Sequence, residues 1–291
     1  MLNERSRNVS VGSNPTLTAN TRIFKMRFLI LFLFFIASSY AIGADQAAPL
    51  PMQTCMAQLP YGAPAAPTGS TTLCRLGYMV NHDPIAKIPN WVAYTMQPAT
   101  AVSCIPRDDA FAPDQALPKG QRSELADYVK SGYDQGHLAP NADMSFSAEG
   151  AKQSFILSNM SPQLPGVNRG VWKQLESSVR AWTYTTKHPL TVYSGDIWDK
   201  ANAKTIGPNK VVVPNVLFKV VVDNTIKQSY AFLIPNREGL NTDIAPFQVS
   251  VADIEKATGY TIPVPDNKML KNKLPVADLN AVIVAKKAAC K

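Results

Sequence analysis

The block from Tyr133 to Arg180 holds most of the side chains able to do chemistry: YDQGHLAPNADM, then SNMSPQ, then VNRGVWKQLESSVR. His137 carries an imidazole that can accept a proton from water near neutral pH. Asn168, Trp172, Glu176 and Arg180 recur at steps of four, which on a regular helix makes one slowly drifting stripe. That stripe presents an amide oxygen, a carboxylate and a guanidinium. The set suits a hard divalent cation and a phosphate, because Mg²⁺ takes oxygen ligands, keeps several waters and needs only one or two oxygens from protein. Gly136 removes a side chain next to His137, where a polymer backbone would approach. Singly, these residues have plainer readings: Asn159 as a turn residue, Glu176 and Arg180 as a solvated i,i+4 pair. Their joint arrangement is what points to phosphoester chemistry. His82 and His188 have no partners at ligand spacing and read as structural, and Trp91, Trp182 and Trp198 read as core.

The elements that must position this block alternate between two hydrophobic periods. LGYMVNH and WVAYTM precede it; TVYSGDIW, KVVVPNVLFKVVVD and SYAFLIPN follow, all β-branched or aromatic and bounded by Gly, Pro, Asn or Asp. Helical patterns are KGQRSELADYVKS, AEGAKQSFILSN, NRGVWKQLESSVRAWTYTTK and SVADIEKATG. The class expected is α+β, a central, mostly antiparallel sheet with helices on its faces. No Pro/Gly-rich linker interrupts the chain after Thr72, so residues 72–291 read as a single domain. The Pro/Ala-rich residues 45–71 follow neither period and read as an extended segment laid on its surface, structure proper beginning near Thr72.

The N-terminal 44 residues read as a leader. Met26 and Arg27, the run FLILFLFFIA and the small residues Ser38 to Ala44 have signal-peptide anatomy, with Met26 as the natural start and cleavage after Ala41 or Ala44. The apolar run is short for a membrane span, so a cleaved signal is expected rather than an anchor, and a periplasmic or secreted protein follows. Beyond residue 44 the chain keeps 24 basic and 20 acidic residues, a bias that admits a polyanionic partner without demanding one. All four cysteines lie there, none at zinc spacing. An even count in an exported chain implies two disulfides. Three pairings are open; Cys55–Cys74 with Cys104–Cys290 is favoured, the second stapling the C-terminal tail to the body.

At DQGH, SNMSPQ and N…W…LE…R the sequence resembles the DNA/RNA non-specific endonucleases, whose hallmark is DRGH, then SNxxPQ, then N…W…LE…R. The similarity extends through LGYMVNHDPIAKIPNWVAYTM on one side and VYSGDIW, VPNVLFKVVV, AFLIPN and VSVADIEKATG on the other, covering Cys74 to Gly259. It implies a ββα-metal (His-Me) finger in which His137 is the general base and Asn168 the metal ligand. Glu176 is implied to hold metal-bound water, Arg180 to stabilise phosphate and Asn159 to contribute at the active site. Arg107, in CIPRDDAF ahead of Phe111, fits an upstream arginine. Gln135 stands where the family has arginine, keeping a hydrogen-bond donor and losing a positive charge. Also implied are Mg²⁺, with Mn²⁺ or another divalent ion as substitutes, DNA and RNA as partners, and a homodimer.

These readings converge on an exported Mg²⁺-dependent endonuclease of low sequence specificity. Two rivals remain: an exported nucleic-acid-binding protein with weak or lost catalysis, favoured by Gln135, and a phosphoesterase acting on small phosphate esters.

Overall fold

The structure, a computed structural model, describes residues 46 and 48–290. The expected signal segment, Met26 to Ala44, lies outside the described residues. In chain order the elements are α1 (Met52–Met56), β1 (Thr71–Cys74), β2 (Met79–Asp83), β3 (Ile88–Met96), α2 (Leu125–Tyr128), β4 (Asp134–His137), α3 (Asn141–Met144), α4 (Ala148–Gln153) and β5 (Met160–Gln163). A wide turn, Val167–Trp172, leads into α5 (Lys173–Thr186). There follow β6 (Leu190–Ile197), β7 (Thr205–Ile206), β8 (Val211–Val212), β9 (Val216–Asp223), β10 (Gln228–Pro235), β11 (Gln248–Val249), α6 (Val251–Thr258) and α7 (Leu279–Ala289).

Seven strands form one sheet in the order β1-β2-β3-β6-β9-β10-β11, antiparallel throughout, as the expected α+β class requires. Its middle strand β6 and neighbour β9 are covered on both faces, which explains why VLFKVVVD is buried almost end to end. The period of two still sorts its residues. Leu217 and Val221 turn to the layer holding Trp172, Leu175, Val179 and Trp182; Phe218, Val220 and Val222 turn to the layer holding Val251 and Ile254 of α6. Lys219 therefore points to the α5 side, a charge set among apolar neighbours at 1 % exposure.

Two expectations need correction. The segment before Thr72 is not merely extended: α1 forms there, and Cys55 and Leu59 are buried against the sheet face opposite α5. The Cys55–Cys74 disulfide, the Leu50–Cys74 bridge and the Trp91 indole donating to the Ala65 carbonyl fasten it. KGQRSELADYVKS yields only the four residues of α2. Arg122 donates to the carbonyls of Asp114 and Leu117 and holds the preceding stretch in a loop, where side-chain bonds outcompete the helical ladder. The second disulfide joins Cys104 to Cys290. No helix among the described residues is long and apolar enough to cross a membrane.

Candidate active site

Away from the large sheet, β4 pairs antiparallel with β5, bringing His137 opposite Met160 and Gly136 opposite Ser161. The chain then enters the wide turn and α5, completing the expected ββα finger. The turn is not the start of one straight helix. Gly170 adopts φ −102° and ψ −111°, so the four-residue stripe is broken between Asn168 and Glu176. Asn168 rides on the turn; Glu176 and Arg180 ride on α5. The bend keeps all three beside His137, in a hollow of about 490 Å³ that Gln135, Arg107, Arg169 and Lys173 also line. Four of these groups are basic and one, Glu176, is acidic, which makes the hollow attractive to phosphate.

His137 is held by packing. Its ring lies 5.0 Å from that of Phe155, edge-on, and 5.8 Å from that of Phe111. Nε2 is buried without a hydrogen-bond partner. Burial first, and the nearby Arg107 charge second, hold the imidazole down at about 3, so the ring is neutral near pH 7. Trp172 ties the two halves of the finger together, its indole donating to the His137 carbonyl at 3.0 Å. Lys219 backs the indole, its ammonium 4.4 Å from the ring centroid and donating to Ser194 Oγ at 2.6 Å.

Asn168 is oriented by Asp134, whose Oδ2 accepts from its Nδ2 at 2.8 Å; Asn168 Oδ1 has no donor among the described residues. Arg169 closes on the same carboxylate through Nε at 2.8 Å and Nη2 at 2.7 Å. Glu176 is half-buried, and its Oε1 is shielded from solvent without a partner. Burial pushes its carboxyl up to about 7 against the pull of Lys219 and Arg180, while burial lowers the Lys219 ammonium to about 8. Arg180 is paired with Asp143, which also accepts from Tyr94 at 2.8 Å. Arg107 lies at the rim, over the Phe155 ring and paired with the exposed Asp109.

The orphaned Glu176 Oε1 and the free Asn168 Oδ1 are a donor set for a hard divalent cation that keeps most of its waters. No group of three or more His, Cys, Asp or Glu among the described residues could hold a metal by itself.

Two sequence readings change. Asn159 does not reach the hollow: it is fully buried, its Oδ1 accepts from the Ala139 amide at 2.9 Å, and its Nδ2 donates to the carbonyls of Ala139 and Ser154 at 2.9 and 2.8 Å. Its side chain clamps the segment that follows His137. Gly136 answers to the protein interior rather than to an approaching polymer, because a Cβ there would sit 2.1 Å from Gln163 Cδ. Asp134, Asp143 and Lys219 support the site without being assigned a role by the motif reading. Asp134 could have been, as the first letter of the DQGH motif; Lys219 is an isolated charge in VLFKVVVD, a pattern equally readable as an exposed strand face. His82 and His188 are structural, bonded to the Gln121 carbonyl and Asp223.

The family model described as DNA/RNA non-specific endonuclease matches residues 59–265. The mitochondrial nuclease EXOG of Mus musculus is 29% identical over 215 residues, covering 68% of this chain and 58% of that protein. The nuclease of Syncephalastrum racemosum is 33% identical over 213 residues, covering 65% of this chain and 66% of the relative. Nuclease C1 of Cunninghamella echinulata var. echinulata is 32% identical over 220 residues, covering 70% and 86%. This chain thus spans under two thirds of the length of the first two relatives. Among solved structures, a complex of EndoG with its inhibitor EndoGI superposes with a TM-score of 0.64 at 26% identity, over 76% of this chain and 94% of that one.

Proposed function

Because the chain belongs to the DNA/RNA non-specific endonuclease family, we propose that it is an exported endonuclease hydrolysing phosphodiester bonds in DNA and RNA with little sequence preference, dependent on Mg²⁺ or a substitute such as Mn²⁺. The observation that carries this reading is the meeting of His137, Asn168 Oδ1 and the unpartnered Glu176 Oε1 in one basic hollow. Asn168 Oδ1 would hold a divalent cation and Glu176 the water around it, and the bound cation would supply charge neutralisation at the scissile phosphate and its leaving oxygen. His137 takes the proton from the attacking water on its neutral imidazole. Arg180, oriented by Asp143, and Arg107 draw the phosphate oxygens. Gln135 adds a neutral donor where the family has arginine. Attack by water leaves the ribose 2′-hydroxyl unused, so both polymers are substrates. Contacts restricted to the backbone leave base identity unread.

Export is supported by the composition of Met26 to Ala44 and by two disulfides, which persist in oxidising compartments. A homodimer rests on the family resemblance, and light scattering of the purified chain decides it. The nuclease reading is tested by digesting plasmid DNA and total RNA with the chain beyond residue 44. Both are expected to be degraded, the chelator to stop it and Mg²⁺ to restore it. No cleavage with any divalent ion overturns the reading in favour of a nucleic-acid-binding protein; cleavage of a chromogenic small diester alone favours the phosphoesterase.

A further inference from the structure

A second hollow, of about 230 Å³, adjoins the one at His137 and shares Arg107, Asn141, Ala142 and Arg180 with it. Its far wall is Val282 and Lys286 of α7. This helix lies beyond residue 265, where the family match ends, in a stretch from Asp266 to Lys291 carrying six lysines and two aspartates. That surplus of four basic residues equals the surplus of the whole chain beyond residue 44.

The helix packs against α5, and its two ends are fixed by a cap and a disulfide. Asp278 caps its start, accepting from the Ala281 amide at 3.0 Å, yet none of its residues is buried. Its other end is tied through Cys290 to Cys104, and both cysteines are exposed. Cys104 precedes Arg107 by three residues, and the Cys290 amide bonds the Lys286 carbonyl at 3.0 Å, one helical turn back. The disulfide thus fixes Lys286 and Arg107 on one rim. Lys286 is exposed and forms no ion pair among the described residues, so its charge faces the hollow unspent.

Resting on the nuclease reading, we propose that this second hollow is a backbone subsite for the same polymer, in which Lys286 binds a phosphate flanking the scissile one while the Cys104–Cys290 disulfide holds α7 in place. The ligand class is a nucleic-acid phosphodiester, and the contact reads no base. The two hollows form one basic track along which a single strand runs from Arg180 toward Lys286.

The test is fluorescence anisotropy of a labelled single-stranded oligonucleotide of about eight residues, titrated with the chain beyond residue 44 in chelator so that nothing is cut. Lys286→Ala is expected to weaken binding roughly fivefold at low salt and to lower the slope of log affinity against log salt by about one. Lys287→Ala removes the same charge from a neighbouring residue outside the hollow and is expected to change affinity by less than about twofold. Cys104→Ser/Cys290→Ser is expected to reproduce the weakening, with Lys286→Ala adding little on that background. Equal effects at Lys286 and Lys287, or unchanged binding on Lys286→Ala, overturn the subsite; a double-serine protein binding as wild type overturns the role of the disulfide. Should the wild type fail to cut nucleic acid in Mg²⁺ while this binding pattern holds, the hydrolytic reading falls and the subsite stands.

Discussion

The two sides of the β4–β5 finger treat buried polar groups in opposite ways. On the inner side, Asn159 has each of its amide atoms bonded to backbone, and the Leu138 amide bonds the Asn159 carbonyl at 3.1 Å. On the outer side, His137 Nε2 and Glu176 Oε1 are buried with no partner. A satisfied buried amide stabilises the fold, whereas an orphaned carboxylate oxygen costs stability until something fills its coordination. The inner side is finished by the chain itself; the outer side is not. Orphaned atoms alone do not mark a site, since Gln163 on β5 and Asp196 on β6 also carry them. Those two do not line the hollow, and burial keeps the Asp196 carboxyl well above the usual carboxylate range.

The comparison breaks most visibly at the outer side. His137→Ala is expected to lower cleavage by about 10²–10⁴-fold while retaining divalent-ion binding, and Asn168→Ala to lose both. Plasmid digestion together with Mn²⁺ titration by magnetic resonance separates them, and normal turnover in either variant contradicts the assigned roles. Asp134→Ala, which frees the Asn168 amide, should weaken apparent divalent affinity about 10–100-fold, with partial recovery at high Mg²⁺. Its metal requirement staying at the wild-type level would detach Asp134 from the site.

Stability should move in opposite directions on the two sides. Asn159→Ala strips three buried backbone groups of their partner and is expected to cost roughly 3 kcal/mol in urea unfolding. Glu176→Gln should stabilise the metal-free protein at alkaline pH. The sign follows from linkage: a carboxyl raised to about 7 in the folded state and ordinary when unfolded weakens the fold as pH rises from about 4.5 through 7. The advantage of glutamine is therefore absent in acid, opens across that window and is complete above it. Melting in chelator at several pH values checks this, and an advantage independent of pH contradicts it. The smallest effect is expected at Gln135. With Arg107, Arg169, Lys173 and Arg180 already lining the hollow, Gln135→Arg should change kcat/KM by less than about threefold, since further like charge adds crowding as well as attraction. A large gain would show that the neutral amide limits the reaction.

What could be read in advance was whatever follows from local period or from motif. The β-branched runs became β3, β6, β9 and β10, and His137, Asn168, Glu176 and Arg180 do meet in space. The bend at Gly170 was not legible, because a spacing of four is satisfied by an unbroken helix and glycine inside a helix is tolerated. Asn159 and Asn168 look alike in sequence, and only tertiary contacts separate a clamp from a free ligand oxygen. Lys219 and Asp143 act on groups distant in the chain, a coupling no local pattern encodes. The truncation of α2 has the same origin, as the competing acceptors for Arg122 come from an irregular loop.

The two disulfides also set an order of assembly. Cys55 and Cys74 are 19 residues apart, and both precede β2 to β11 in the chain, so their bond can close before most of the sheet exists. Cys290 follows every strand in the chain, so its bond with Cys104, across 186 residues, forms only after the sheet can exist. By the chain-entropy relation the short loop disfavours the unfolded state by about 3 kcal/mol and the long one by about 5 kcal/mol. The bond that is more accessible to reductant is therefore also the one whose loss most enlarges the unfolded ensemble, so reduction strikes first where it costs most.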